Sequence, residues 1–360
     1  MEGNEKKELV FVTLTNINNA RRGIYNNILQ DFSRRFSNIS VFCLGKNETF
    51  VDRNIHYYSG GFKNWPKFFK DLNVRSIYSI FITDYILGGF FSLIYAKRYN
   101  IPLVYRCGGL WRYEMDTLTK SLKAVIASIL KPIILKNCKK VVYNSKSIVQ
   151  HKIEHNHEVV YNGVDLEMFK PSGVENSKDN GLKILYIGRI NREKGLDYLF
   201  EAAKDFKEKV SITIAGQGPL LEEYQKNYPF ITFLGRVNHK DLPNLINNHD
   251  AIILPSLTNS SESFPNALLE GMACGKAILG TNVYGIPEMT HHNINGIIFH
   301  EKDVIAIKRV FSRLLEKPEL LEIFGRNSRK IVESRFEKKK QMDALYNALF
   351  NLKKEQKIII

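Results

Sequence analysis

Two glutamates, Glu262 and Glu270, flank a proline in the segment Asp250 to Glu270, DAIILPSLTNSSESFPNALLE. The apolar run ending at Leu254 reads as a strand and a polar loop follows. Pro265 then suits the first turn of a helix continued by Ala267, Leu268, Leu269 and Glu270. Were both glutamates helical, they would lie about 12 Å apart along the axis, too far for the roughly 5 Å carboxylate pair of a retaining glycosidase. With Glu262 in the loop and Glu270 one turn inside, the N–H groups around Asn266, Ala267 and Leu268 point at whatever anion sits in front of the helix. One carboxylate then lies beside that anion and the other behind it. This set suits a sugar diphosphate, with N–H groups for phosphate oxygens and carboxylates for hydroxyls. The same residues also make a plain helix start with a solvated Glu262 and a dipole-assisted Glu270.

A second segment, KILYIGRINREKGLDYLFEAAKDF, is a strand from Lys183 that ends at Gly188, with Arg189 and Lys194 in the connection to the next helix. Arg brings a planar fork and Lys a point charge, and together they stabilise the charge that accumulates on a departing diphosphate. They would replace a metal, because no D-x-D occurs in the chain. The alternative is two solvated loop cations. A third segment, the strand Ser211 to Ala215 followed by GQGPL, carries Gly216 and Gly218. Leu221 occupies the place of the third glycine of a dinucleotide fingerprint, so these glycines read equally well as a tight turn.

The elements that must hold these groups alternate along the whole chain. Short β-branched and aromatic runs fall at 9–14, 39–44, 76–83, 103–106, 140–143, 158–161, 183–187, 211–215, 231–234, 251–254, 277–280 and 296–299. Stretches with apolar spacing near 3.6, such as Leu196 to Phe206, separate most of them. Such βαβ grammar predicts an α/β fold of two Rossmann-like domains with parallel sheets. The polar stretch Pro171 to Gly181 divides the runs into two sets. The expected organisation is residues 1–170, a linker at 171–182, residues 183–335, and a final helix near Lys338 to Leu352, within 336–360, that crosses back to the first domain. Ligands in open α/β sheets sit beyond the carboxyl ends of the strands, which places the site in the cleft between domains.

Composition agrees with two ordinary cores: 360 residues, 44% hydrophobic and 25% charged, exclude disorder, collagen and coiled coil. Four scattered cysteines give no disulfide framework and no zinc spacing, so a reducing compartment is expected. The N-terminus lacks the pattern of a signal peptide, and the longest uncharged apolar stretch, Tyr85 to Ala96, is too short to span a bilayer. Of the net charge of +15, residues 1–172 hold the larger part, with 25 Lys+Arg against 14 Asp+Glu. From Thr117 through Ile153 there are eight lysines and no acidic residue. Within Leu118 to Lys140, Leu122, Val125, Ile126, Ile129 and Ile133 share one helical face, with Lys120, Lys123 and Lys131 opposite. That stretch reads either as a domain helix with a solvated basic face or as an attachment to anionic lipid. No nucleic-acid recognition motif accompanies the charge.

Taken in order, IGRINREKG (187–195), IAGQGPL (214–220), FLGRV (233–237), the glutamates at 262 and 270, EGMACGKAIL and GIPE (285–288) resemble glycosyltransferase family 4, the retaining nucleotide-sugar transferases of the GT-B fold. VVYNSKS (141–147) and YNGVDLEMF (161–169) extend the likeness into the first half. The resemblance implies that Arg189 and Lys194 bind the donor pyrophosphate and Glu270 the ribose. It likewise implies that Glu262, Phe264, Asn266 and Ala267 hold the transferred sugar and distal phosphate, while the backbone near Arg236 and Val237 holds the base. Gly23 is implied to bring backbone to the phosphate, and Arg22 replaces the first of the family's usual Gly-Gly pair. In YRCGGLW (105–111), where many members have His-Gly, there is no histidine. Arg106, Cys107, Gly108 and Gly109 are then the acceptor-side residues, contributing backbone and shape, with the leaving phosphate taking the acceptor proton.

The implied protein is a retaining, metal-independent glycosyltransferase without a cofactor, moving a sugar from a nucleotide-diphosphate sugar to a glycan or lipid-linked glycan hydroxyl. It would act in surface polysaccharide, lipopolysaccharide or protein-glycan synthesis. The expected place is the cytoplasm, with a peripheral hold on the inner membrane face through the basic helix. A sugar-nucleotide epimerase or phosphorylase of the same architecture is the alternative.

Overall fold

The computed structural model describes residues 8–16, 23–61, 64–83, 87–108, 118–149, 156–172, 181–258 and 262–350. The first sheet contains β1 (Glu8–Asn16), β2 (Asn38–Leu44), β3 (Glu48–Asp52), β4 (Ile55–Gly60), β5 (Ile77–Ile82), β6 (Leu103–Cys107), β7 (Lys140–Tyr143) and β8 (His157–Val159), in the order β3-β4-β2-β1-β5-β6-β7-β8. The second contains β9 (Leu182–Ile187), β10 (Val210–Ala215), β11 (Thr232–Gly235), β12 (Ala251–Leu254), β13 (Ala277–Thr281) and β14 (Gly296–Phe299), in the order β11-β10-β9-β12-β13-β14. Neighbours pair in parallel throughout except β3 with β4. The α/β reading with two parallel-sheet Rossmann-like units is therefore the observed architecture.

The central strands β5, β6, β12 and β13 are buried along their whole length. This explains their continuous apolar sequences, because helices cover both faces of a parallel sheet. One face of the first sheet carries Trp65, Phe68, Phe69 and Leu135. The other carries Phe32, Tyr57 and Phe81 together with Met342, Leu345 and Leu349 of the final helix, Lys338–Phe350. That helix follows the second sheet in sequence and covers the first in space. Its return path runs beside the outward connection: Val164 N–H donates to the Phe336 carbonyl, and Lys338 N–H to the Val164 carbonyl, both at 2.9 Å. A Cβ on Gly163 would come within 2.6 Å of the Lys338 backbone, so glycine lets the two crossings touch.

The hairpin of β3 and β4 was not among the expected strands. Arg53 makes its turn at φ 57, a left-handed conformation that sequence patterns associate with glycine or asparagine. The side chain of Asn54 then ties the turn to the carbonyls of Ser33 and Phe36, at 2.9 and 2.8 Å.

The basic segment forms the helix Leu118–Asn137. Its apolar residues do not act as one face, as the sequence suggested. Ile126 and Leu130 pack on the core and Ile134 and Leu135 are fully buried, whereas Val125, Ile129 and Ile133 are 54%, 57% and 43% exposed. Lys131, expected on the solvated side, is half-buried, and burial lowers the pKa of its ammonium. The side chains of Lys120, Leu122 and Lys123 lie outside the described ones. Among the described residues no helix is long and apolar enough to cross a membrane.

Candidate functional site

Two adjacent strands of the second sheet, β9 and β12, bring the two chemical segments together. After β9 the single turn Arg192–Lys194 docks on the chain that leaves β12: Leu257 N–H donates to the Glu193 carbonyl at 2.9 Å, and Gly195, at φ 66, abuts the Pro255 carbonyl. Lys194 is consequently buried, with its Nζ against a carboxylate oxygen of Glu262. This corrects the expectation of a loop cation outside the core; it also couples two residues that the sequence left separate.

The helix after Glu262 runs Asn266–Ala273, with Pro265 in extended conformation just before it rather than inside its first turn. Glu262 lies in the loop and Glu270 one turn inside the helix. Of the three N–H groups expected to be free, that of Leu268 is not, because it donates to the Pro265 carbonyl at 3.2 Å. Asn266 and Ala267 remain at the open helix end. The ring of Phe264 is buried between Tyr161 and Phe336, with centroids 4.8 and 5.3 Å away, so the expected sugar contact falls to its backbone. Glu270 Oε1 is 3.2 Å from Nε2 of His239, and this hydrogen bond raises the imidazole pKa above 6.5.

Two cavities meet these residues. One of about 540 Å³ lies on the second sheet and is lined by Gly188, Arg189, Gly216, Gln217, Arg236 and Val237, with Arg189 and Arg236 exposed at its rim. Gly216 is there for closeness rather than turning: a Cβ would fall 1.8 Å from the Gly188 carbonyl oxygen. The other cavity, about 290 Å³, lies between the domains. Tyr25, Thr83, Arg106, Gly108, Asn144 and Asn162 form one wall, and Glu262, Ser263, Phe264, Pro265 and Asn266 the other.

Hydrogen bonds stitch the two walls. Ser263 Oγ donates to the Gly108 carbonyl at 2.7 Å and Asn144 Nδ2 donates to Ser263 Oγ at 3.0 Å, so the Gly108 carbonyl belongs to the domain contact. Asn162 Nδ2 donates to Asn266 Oδ1 at 3.0 Å, and Arg106 Nη2 to Asn162 Oδ1 at 3.1 Å. Cys107 is buried in the first core, which leaves its backbone alone for the cleft. Gly23 opens the helix Gly23–Phe32 beyond β1. Arg22 and Gly109 lie outside the described residues.

Sequence reasoning missed Asn144, Asn162, Ser263, His239 and Glu288. The first two stand within VVYNSKS and YNGVDLEMF, a usable signal, since each asparagine directly follows a buried or half-buried tyrosine near a strand end. Glu288, in GIPE, accepts hydrogen bonds from Ser145 Oγ and from the N–H groups of Lys146 and Ser147, at 3.0 and 2.8 Å for the latter two. Burial pushes its carboxyl pKa up, but these bonds, aided by the nearby Tyr161 hydroxyl, outweigh burial and hold it below 4.5. Among the described residues no group of three or more His, Cys, Asp or Glu is placed to hold a metal.

Residues 170–331, which carry Arg189, Lys194, Glu262 and Glu270, match the family model of the group 1 glycosyl transferases. That segment, somewhat less than half of the chain, is similar to this family. Its reaction class is glycosyl transfer, EC 2.4. An uncharacterised glycosyltransferase of Methanocaldococcus jannaschii is 26% identical over 302 residues, 78% of this chain and 76% of that one. The amylovoran biosynthesis glycosyltransferase AmsK of Erwinia amylovora is 29% identical over 145 residues, 37% of this chain and 36% of its own. Among solved structures, sucrose-phosphate synthase from Thermosynechococcus elongatus superposes with a TM-score of 0.77 at 16% identity, covering 96% of this chain and 99% of that one. Anabaena HepE in complex with UDP and glucose gives 0.75 at 16% identity, with coverage of 95% and 99%. The chain described here therefore has the GT-B fold.

Proposed function

We propose that this protein is a retaining group 1 glycosyl transferase that moves a sugar from a nucleotide-diphosphate donor to a hydroxyl of a glycan or lipid-linked glycan. Residues 183–335 would bind the donor and 1–170 the acceptor, with 336–360 returning to the first domain across the linker 171–182. The observation that carries the reading is the buried Lys194–Glu262 pair, whose Glu262 lines the cavity between the domains together with Pro265 and Asn266 at the N-terminus of the helix Asn266–Ala273.

In this reading the diphosphate sits between Arg189, Lys194 and the N–H groups of Asn266 and Ala267. Charge that builds on the leaving phosphate meets two cations and a helix terminus already in place, which lowers the barrier without reorganisation. Glu270 takes the ribose hydroxyls, the backbone at Arg236 and Val237 the base, and Glu262 the transferred sugar. The departing phosphate accepts the acceptor's proton on the same face, and no metal takes part. The UDP bound by HepE favours a uridine donor, and the sequence likeness to AmsK favours a surface polysaccharide product.

The test is thermal unfolding against UDP, GDP, ADP and CMP, each with and without EDTA. A ligand at 100 times its Kd adds about 2.7 kcal/mol of stability, so a selective and EDTA-insensitive rise is expected with one diphosphate. A rise that EDTA abolishes would sink the metal-free site.

The exposed residues Val125, Ile129 and Ile133, one helical turn apart on a helix rich in lysine, support a second element: contact with an anionic membrane surface. Sedimentation with phosphatidylglycerol vesicles but not with phosphatidylcholine vesicles is the expected result. Equal sedimentation of a V125S/I129S/I133S variant would remove this element.

A further inference from the structure

Arg106 is the penultimate residue of β6, with 4% of its surface exposed. Its Nη2 is engaged by Asn162, while Nη1 is buried and has no hydrogen-bond partner among the described residues. It enters no ion pair among the described residues. Burial lowers its guanidinium pKa to about 10, with Tyr25 and Cys107 opposing the shift, so the group still carries its charge at neutral pH. A charge taken out of water without a counterion is strongly unfavourable. The free nitrogen belongs to a side chain on the wall of the cavity between the domains, opposite Glu262. On the same wall the buried Oδ1 of Asn144 also lacks a partner among the described residues and is suited to a hydroxyl.

We propose that Arg106 receives an oxyanion, a carboxylate or phosphate group, carried by the acceptor sugar, and that this charge selects anionic acceptors. The inference rests on reading the cleft as a glycosyl-transfer site. Arg106 is supplied by the first sheet, whereas the cations placed for a nucleotide diphosphate, Arg189 and Lys194, are both supplied by the second. The nucleotide's own diphosphate is the other source of the same chemistry, and the experiment separates the two.

Unfolding midpoints of the wild-type chain, Arg106→Gln and Arg106→Lys are measured at constant ionic strength with glucuronate, glucose 6-phosphate, neutral methyl glucoside and UDP. The two charged sugars are expected to stabilise the wild type and methyl glucoside not to. Arg106→Gln should bind the charged sugars about tenfold more weakly or worse, a loss of about 1.4 kcal/mol, while its response to UDP is unchanged. Arg106→Lys keeps a charge without the fork and should fall between them; it also serves if the glutamine variant does not fold. The proposal is overturned if the charged sugars fail to stabilise the wild type, if they stabilise Arg106→Gln equally, or if methyl glucoside matches them. A UDP response lost in Arg106→Gln also overturns it, by assigning the oxyanion to the nucleotide. Charged sugars bound through Arg106 without a response to any nucleotide would instead defeat the glycosyl-transfer reading and leave the oxyanion seat standing.

Discussion

Lys194 and Glu262, 68 positions apart in the chain, are each other's counterion, with side chains only 8% and 15% exposed. Each holds the other at the place where the helix Asn266–Ala273 opens, so removing one leaves the other charged and mostly buried. Lys194→Ala and Glu262→Ala are each expected to lower turnover by roughly 2.7 to 4 kcal/mol in the barrier, the usual cost of one preorganised charge-stabilising group. Urea unfolding should also show that the double variant loses less stability than the two single losses added together. Near-normal turnover in both single variants would remove this pair from the chemistry.

Gly216→Ala is expected to damage the donor side without touching a charge. The new methyl carbon would lie 1.8 Å from the Gly188 carbonyl oxygen, a contact relieved only by separating the ends of β9 and β10. Overpacking of this kind costs about 1 to 3 kcal/mol. Calorimetry with UDP should report weaker binding together with a lower unfolding midpoint; unchanged values for both would mean that the strand ends give way freely.

Glu288 fastens the second domain to the first through Ser145 and the N–H groups of Lys146 and Ser147. Because its folded pKa lies below the ordinary 4.5, its contribution is complete above that value and disappears as pH falls through the lower, folded pKa. Glu288→Ala should lose about 1 to 3 kcal/mol at neutral pH, and its difference from wild type should shrink on acidification. A difference that stays constant with pH would point to packing alone.

The pair of His239 with Glu270 has the opposite sign. Its hydrogen bond with Glu270 raises the folded pKa of the imidazole above 6.5; burial and Lys338 lower it, and Asp165 assists Glu270. The stabilisation is fully present below 6.5 and is lost as pH rises through the raised value. With the His239 side chain 61% exposed, solvent screening limits the pair to about 1 kcal/mol at most. Unfolding of His239→Gln and wild type compared across this range should therefore converge at alkaline pH. Divergence there would place the effect elsewhere.

Much of the architecture was readable because parallel strands buried on both faces must be continuous apolar runs, and β5, β6, β12 and β13 are such runs. The residue types proposed for the donor side could be picked out for a related reason. Arg189, Lys194, Glu262 and Glu270 follow strand ends, where an open α/β sheet presents its ligands. The β3–β4 hairpin was not readable, since Arg53 takes a left-handed turn that nothing in its side chain announces. Nor was the split of the basic helix, because periodicity gives the spacing of apolar residues but not which of two adjacent stripes meets the core.

What the sequence determined by itself was local: strand and helix order, and which charged groups sit at strand ends. Tertiary structure alone decided which of those groups meet. Strand order put Lys194 beside Glu262, and domain contact put Ser263 on the Gly108 carbonyl and Glu288 on Ser145. It also buried Arg106 without a counterion among the described residues, because desolvation depends on what the rest of the chain places around a side chain, and one-dimensional spacing does not contain that.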